Sequence, residues 1–255
     1  MEKQLVSITK EAGAMLAEMF RRGSGAEVVK EKSGFSPAIA ADVAVEKFIL
    51  ESLKRSGFKG TVISEEAGRV AFGSESQVIR VDPLDGSRNY AHGIRHFCVS
   101  LALIEQGSTV LGVVFDPNLN ELFVADARAP GFTLNGSSVR YAPDTGVFIV
   151  GVATDKRTLS KLSNSGGNGE YSDIRIRFGG SAALDLCYVA CNRYSASVMT
   201  RVQPHDIAAG MLIAQKGGAH IKKLDGRTDA TMDDPDLISA TDPALIKRIA
   251  EILGH

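Results

Sequence analysis

The chain has 255 residues, 44% hydrophobic and 23% charged, which is enough apolar material for a sizeable core in one large domain or two packed subdomains. Its 29 basic and 30 acidic residues leave a net charge of −1, a balance that gives no support for a nucleic-acid or membrane-surface partner. No apolar run approaches the ~20 residues that span a bilayer. Residues 1–5 lack the apolar segment of a signal peptide, and the three cysteines show no zinc-ligand spacing, so a cytoplasmic protein with reduced thiols is expected. Cys187 and Cys191, one helical turn apart, read as small apolar residues on a buried helix face.

Residues 2–22 carry Leu5, Ile8, Ala12, Leu16 and Met19 at helical spacing and end at Gly23, which predicts an amphipathic helix. Residues 23–37 mix glycine, serine and lysine and read as a mobile loop. A second helix fits residues 40–53, with Val45, Phe48, Ile49 and Leu53 on one face. Strands are expected at 61–64 and 78–81, then a meander at 97–104, 110–115 and 121–125, joined by the turns Glu105-Gln106-Gly107-Ser108 and Asp116-Pro117-Asn118-Leu119-Asn120. After Pro143 the pattern alternates: strands at 147–152, 174–178, 196–199, 219–221 and 237–240, and helices at 156–162, 182–191 and 207–215. Residues 164–169 read as a flexible loop. A last helix opens at Thr241-Asp242-Pro243, a well-capped start. An α+β half, residues 1–142, followed by an α/β half, residues 143–255, is the expected organisation.

The chemistry is concentrated in Val81-Asp82-Pro83-Leu84-Asp85-Gly86-Ser87-Arg88-Asn89-Tyr90. Two carboxylates at a strand end repel each other, and a cation between them removes that cost. The glycine and the free N–H groups that follow suit an anion. Glu65, after the strand at 61–64, and Asp206, at the start of a helix, are two more acids placed to converge on a sheet edge. Oxygen-only ligands favour a hard cation, Mg²⁺ above all. Taken singly, each acid also fits a plain role as a turn former, a solvated residue or a helix cap.

The segment Asp82-Pro83-Leu84-Asp85-Gly86-Ser87-Arg88-Asn89-Tyr90 closely resembles the metal-binding motif of the inositol monophosphatase family. Glu65-Glu66, Gly180-Ser181-Ala182-Ala183-Leu184-Asp185-Leu186 and Asp206-Ile207-Ala208-Ala209-Gly210 resemble three further family blocks, in order. Leu84, Ser87 and the short chain lean toward the archaeal-type branch, which hydrolyses inositol monophosphate and fructose 1,6-bisphosphate. The resemblance implies the layered αβαβα sugar-phosphatase fold, a cytoplasmic homodimer and two to three Mg²⁺ per subunit. By the same resemblance, Glu65, Asp82 and the Leu84 carbonyl hold one ion, and Asp82, Asp85 and Asp206 a second, in a two-metal hydrolysis. Ser87 and Asp42 replace the family's Thr–Asp pair that activates the attacking water, with Glu65 beside them. The N–H groups of Gly86 and Ser87 cradle the phosphate. Gly180, Ser181, Ala182 and Asp185 line the sugar or inositol pocket, and Arg193 and Arg201 are candidates for a second phosphate.

The chain departs from the family at Ile39 and Ser36, where a Thr and an acid are usual, and at Met199, where the inositol-specific branch places a substrate-binding acid. His205 stands in place of a Trp and reads as a packing or surface residue. The leading expectation is a Mg²⁺-dependent phosphatase of small sugar or polyol phosphates, without nucleic-acid or membrane partners. A nucleotide phosphatase acting on 3′-phosphoadenosine 5′-phosphate or NADP is an alternative, and a silent family member acting as a binding protein is a third. Asp85→Asn is expected to abolish activity without destabilising the metal-free fold.

Overall fold

The computed structural model describes residues 1–30, 38–73, 76–142, 146–165 and 173–255. Helix α1 (Glu2–Arg21) buries Leu5, Ile8, Ala12 and Leu16, the face its periodicity predicts. The strands β1 (Val28–Lys30) and β2 (Ala38–Ile39) form a small antiparallel pair before α2 (Ala40–Arg55). Residues 28–30, expected as loop, are extended because β1 pairs with β2 and Ala40 N–H donates to the Glu27 carbonyl. Residues 31–37 of the expected loop, with Ser36, lie outside the described residues.

Seven strands follow: β3 (Thr61–Ser64), β4 (Gly68–Ala71), β5 (Gln77–Asp85), then, after the short helix α3 (Ser87–Ala91), β6 (Cys98–Glu105), β7 (Ser108–Asp116), β8 (Glu121–Asp126) and β9 (Thr133–Leu134). They form one sheet in the order β4-β3-β5-β6-β7-β8-β9, antiparallel except for the parallel pair β3–β5. The second half supplies β10 (Phe148–Ala153), α4 (Lys156–Ser165), β11 (Ile174–Arg177), α5 (Ala182–Ala190), β12 (Ala196–Met199), α6 (Pro204–Lys216), β13 (His220–Lys222), β14 (Leu237–Ala240) and α7 (Pro243–Leu253). Its five strands run β11-β10-β12-β14-β13, with β10 parallel to both neighbours. Residues 164 and 165 close α4 rather than opening a loop, and the remainder of that expected loop lies outside the described residues.

The layers follow from which faces are apolar. Helices α1 and α2 cover one face of the seven-stranded sheet; α5 and α6 fill the space between its other face and the five-stranded sheet; α4 and α7 cover the far side. The order is αβαβα, an α+β fold of stacked layers. Helix α5 touches a sheet on each side, which is why all nine of its residues are buried. Gly210 lets α5 and α6 approach closely, since a Cβ there would stand 2.9 Å from Leu186 Cβ. The three cysteines are buried and free, as expected. Among the described residues, no helix is long and apolar enough to cross a membrane.

Candidate active site

Strand β5 runs through Asp82 and Asp85, four residues further than its hydrophobic run suggests. In a regular strand, residues three apart point to opposite faces. Here Asp82 pairs with Ser100 and Asp85 with Cys98, so three steps on β5 match two on β6. This bulge at Pro83 and Leu84 absorbs one extra residue and brings both carboxylates to the same side. Gly86 then turns the chain at φ +98° into α3. A Cβ at Gly86 would lie 2.9 Å from the His96 carbonyl oxygen, so conformation and space both require glycine. Gly86→Ala is expected to cost about 1–3 kcal/mol of stability, read as a drop in the denaturant midpoint.

Each acid is anchored by local donors. Asp82 Oδ1 accepts the Leu84 N–H at 3.0 Å. Asp85 reaches the start of α5: its Oδ2 accepts from Ser181 Oγ at 2.6 Å and Ala183 N–H at 2.7 Å, and its Oδ1 from Ala182 N–H at 3.2 Å. A buried carboxylate from the first half thus caps a helix of the second. Asp206 sits at the third position of α6, where Oδ2 accepts the Gln203 N–H at 2.7 Å. His205 Nε2 stands 3.2 Å from Asp206 Oδ1, a contact that reading His205 as packing did not foresee. Glu65 lies in the turn after β3, half-buried.

Electrostatics join these acids. Burial first, then the charges of Glu65, Asp85 and Asp206, hold the Asp82 carboxyl well above the usual range, with the Leu84 N–H alone working against them. Asp85 is pushed up to about 7, chiefly by burial, with Asp206 adding to it and the Ser181, Ala183 and Ala182 donors opposing. Beneath them, the Cys98 thiol lies 3.7 Å from Asp85 Oδ2 and is raised by burial and by that carboxylate. No three His, Cys, Asp or Glu side chains among the described residues already stand as a closed ligand set. The carboxylates are held instead by backbone N–H groups, Asp82 by Leu84, Asp85 by Ala182 and Ala183, and Asp206 by Gln203. Four carboxylates that act on one another, two of them buried and raised first by burial and then by like charge, nevertheless offer the oxygen-only donors that a hard divalent cation takes.

Asp42 is buried at the third position of α2, where Oδ2 accepts the Ile39 N–H at 2.8 Å. Ser87 opens α3. Asn89 has a role the sequence did not disclose: its Nδ2 donates to the carbonyls of His96 at 2.7 Å and Gly179 at 2.8 Å, tying α3 to the loop before α5. Gly180 adopts φ +82° against it. Ser181 is fully buried and Ala182 nearly so, with the Ser181 hydroxyl directed to Asp85 and accepting the Leu184 N–H.

Asp185, expected along the pocket, lies within α5. It is fully buried, and neither carboxylate oxygen has a hydrogen-bond partner among the described residues. Burial and Asp85 hold its carboxyl well above the usual range. Arg193 is engaged by Glu121 through two 2.5 Å contacts and lies over the rings of Tyr141 and Tyr188. Arg201 is exposed, with φ +62° and its backbone N–H donated to Asp236.

Known proteins resemble this chain in sequence and fold. SuhB of Xylella fastidiosa, named a Nus factor, is 34% identical over 243 residues, covering 90% of this chain and 84% of its own. The crystal structure of the extragenic suppressor protein suhB from Bartonella henselae superposes with a TM-score of 0.85 at 27% identity, covering 98% of this chain and 97% of that one. The IMPase of Thermotoga maritima gives a TM-score of 0.84 at 25% identity over 98% of this chain and 96% of its own. The model of the inositol monophosphatase family matches residues 1–254, and the chain belongs to that family.

Proposed function

We propose that the chain is a Mg²⁺-dependent phosphate monoester hydrolase acting on small sugar or polyol phosphates, inositol monophosphate and fructose 1,6-bisphosphate among them. The observation that supports this most directly is Asp82, buried and destabilised by three other acids whose repulsion a cation relieves. Glu65, Asp82, the Leu84 carbonyl, Asp85 and Asp206 are the proposed holders of the metal. Bound there, the ions supply an activated water and stabilise the leaving oxygen.

The remaining roles fall to the chain itself. The N–H groups of Gly86 and Ser87 open α3 and are offered to the phosphate. Ser87 and Asp42 orient the nucleophilic water, Ser87 by its hydroxyl. Gly180 and Ala182 present backbone to the substrate, while Ser181 acts through Asp85. With Arg193 committed to Glu121, a second phosphate is left to Arg201. Residues 1–142 then form the subdomain carrying most metal ligands, and 143–255 the subdomain carrying the pocket and Asp206. A cytoplasmic homodimer completes the reading.

A phosphate-release panel with Mg²⁺ tests it, using inositol 1-phosphate, fructose 1,6-bisphosphate, glucose 1-phosphate, NADP and 3′-phosphoadenosine 5′-phosphate. Turnover is expected on the first two. Negligible release from all five would overturn it. A second reading rests on the relatives' name, Nus factor: a role independent of phosphate release would survive Asp82→Asn.

A further inference from the structure

We propose that Glu46 is a positioning residue for Glu65. It is a buried carboxylate on α2 that sets the turn from which Glu65 reaches the metal site. The proposal rests on the reading of Glu65 as a metal ligand. Glu46 is 4% exposed, and its Oε1 is the meeting point of three donors: Ser64 Oγ, the Glu66 N–H at 2.9 Å and the Ala67 N–H at 3.1 Å. Those donors flank Glu65 on both sides. They span the last residue of β3 and the turn that leads into β4.

The geometry defines what Glu46 does. Residues 65–67 make a short turn between two antiparallel strands, and such turns relax readily when their N–H groups face water. Here two successive N–H groups point inward to one buried oxygen. Charge-assisted bonds of this kind are short and roughly twice as strong as neutral ones. They hold the backbone on either side of Glu65 to a rigid helix. Asp42 lies one helical turn before Glu46 on the same buried face, so α2 contributes two acids to this side of the sheet, one capping its own helix and one clamping the turn. Strand β3 pairs in parallel with β5, Ser64 opposite Val81, so the clamped turn begins where β5 reaches Asp82. Glu46 does not itself need to touch an ion, since its Oε1 is already occupied by the turn.

Outer groups that orient metal ligands typically account for 10–100-fold in metal affinity. Glu46→Ala is therefore expected to weaken Mn²⁺ binding by about 10–100-fold in titration calorimetry without substrate, while kcat at saturating metal falls by less than about threefold. Glu46→Gln keeps one acceptor oxygen for the two amides and is expected to lose less, roughly 3–10-fold in Mn²⁺ affinity. Should Glu46→Ala fail to fold, Glu46→Gln decides alone. Wild-type Mn²⁺ affinity in a folded Glu46 variant, whatever its melting temperature, would overturn the proposal by reducing Glu46 to a structural residue. Glu65→Ala is titrated in parallel. If it too binds Mn²⁺ like wild type, Glu65 is no ligand and the positioning role falls with it; if Glu65→Ala weakens binding and the Glu46 variants do not, the metal reading stands and only the clamp is lost.

Discussion

Asp82→Asn is expected to lower Mg²⁺-dependent phosphate release by roughly a thousandfold or more, and at the same time to make the metal-free protein more stable. The two effects share one cause. Asp82 is 2% exposed and faces Glu65, Asp85 and Asp206 without a cation, so its ionised form is costly in the metal-free chain. An asparagine keeps an oxygen for the Leu84 N–H and removes the charge. The gain is expected to be roughly 1–3 kcal/mol in chemical denaturation near pH 7.5 without metal. Asp85→Asn should lose activity similarly but gain less stability, because it forfeits part of the bonding to Ser181, Ala182 and Ala183 at the start of α5. Wild-type turnover in Asp82→Asn would remove the metal assignment. Lower stability of the metal-free variant would show that the charge cluster is relieved in some other way.

Adding Mg²⁺ to the metal-free protein at pH 7.5 is expected to raise the melting temperature by roughly 5–10 °C at about a hundredfold excess over Kd, and by far less at pH 5. The sign follows from Asp82 and Asp85, both raised in the folded state, the latter to about 7, against an ordinary value of 3.8. Between about pH 4 and pH 7 the folded metal-free chain binds more protons than the unfolded chain, so its stability falls as pH rises through that window. Metal requires the ionised carboxylates and must displace those protons at pH 5. The contribution lost from the metal-free protein on raising the pH is thus recovered when Mg²⁺ binds. Scanning fluorimetry at the two pH values checks this, and equal shifts at both would mean that the cation binds elsewhere.

Much of the site could be read from the chain because its residues come in compact blocks. Asp82, Asp85, Glu65 and Asp206 each follow a recognisable strand or open a helix, and the family model agrees with the resemblance these blocks carry. The long elements were legible for the same reason: α1 and the β6–β8 meander have strong periodicity and clear turns. Residues 68–71 and 87–91 were harder, since a four-residue strand of Gly68, Arg69, Val70 and Ala71 has no alternating apolar face and a five-residue helix has no period to detect. The depth of Asp185 was hard to see because one acid in a short segment looks solvated. The correcting signal is that residues 182–190 otherwise hold only apolar side chains and Tyr188, which makes α5 a central-layer helix with no wet face. Glu46 went unremarked for a related reason. It stands in the stripe Val45, Ile49, Leu53 of α2, where a charge is out of place unless something binds it. Partners such as Glu66 and Ala67 donate from the backbone, which leaves no mark on residue identity.

The bulge at Pro83 and Leu84 carries a consequence of its own. Two acids three residues apart along a strand are kept apart by the pleat, and no exchange of side chains overcomes that geometry. What brings Asp82 and Asp85 together is a count: one more residue on β5 than its neighbour β6 can match. Were the same residues threaded through a regular ladder, with β6 matching β5 step for step, one of the two carboxylates would be turned away although every proposed ligand is retained. The site is therefore encoded in the register of β5 against β6 as much as in composition.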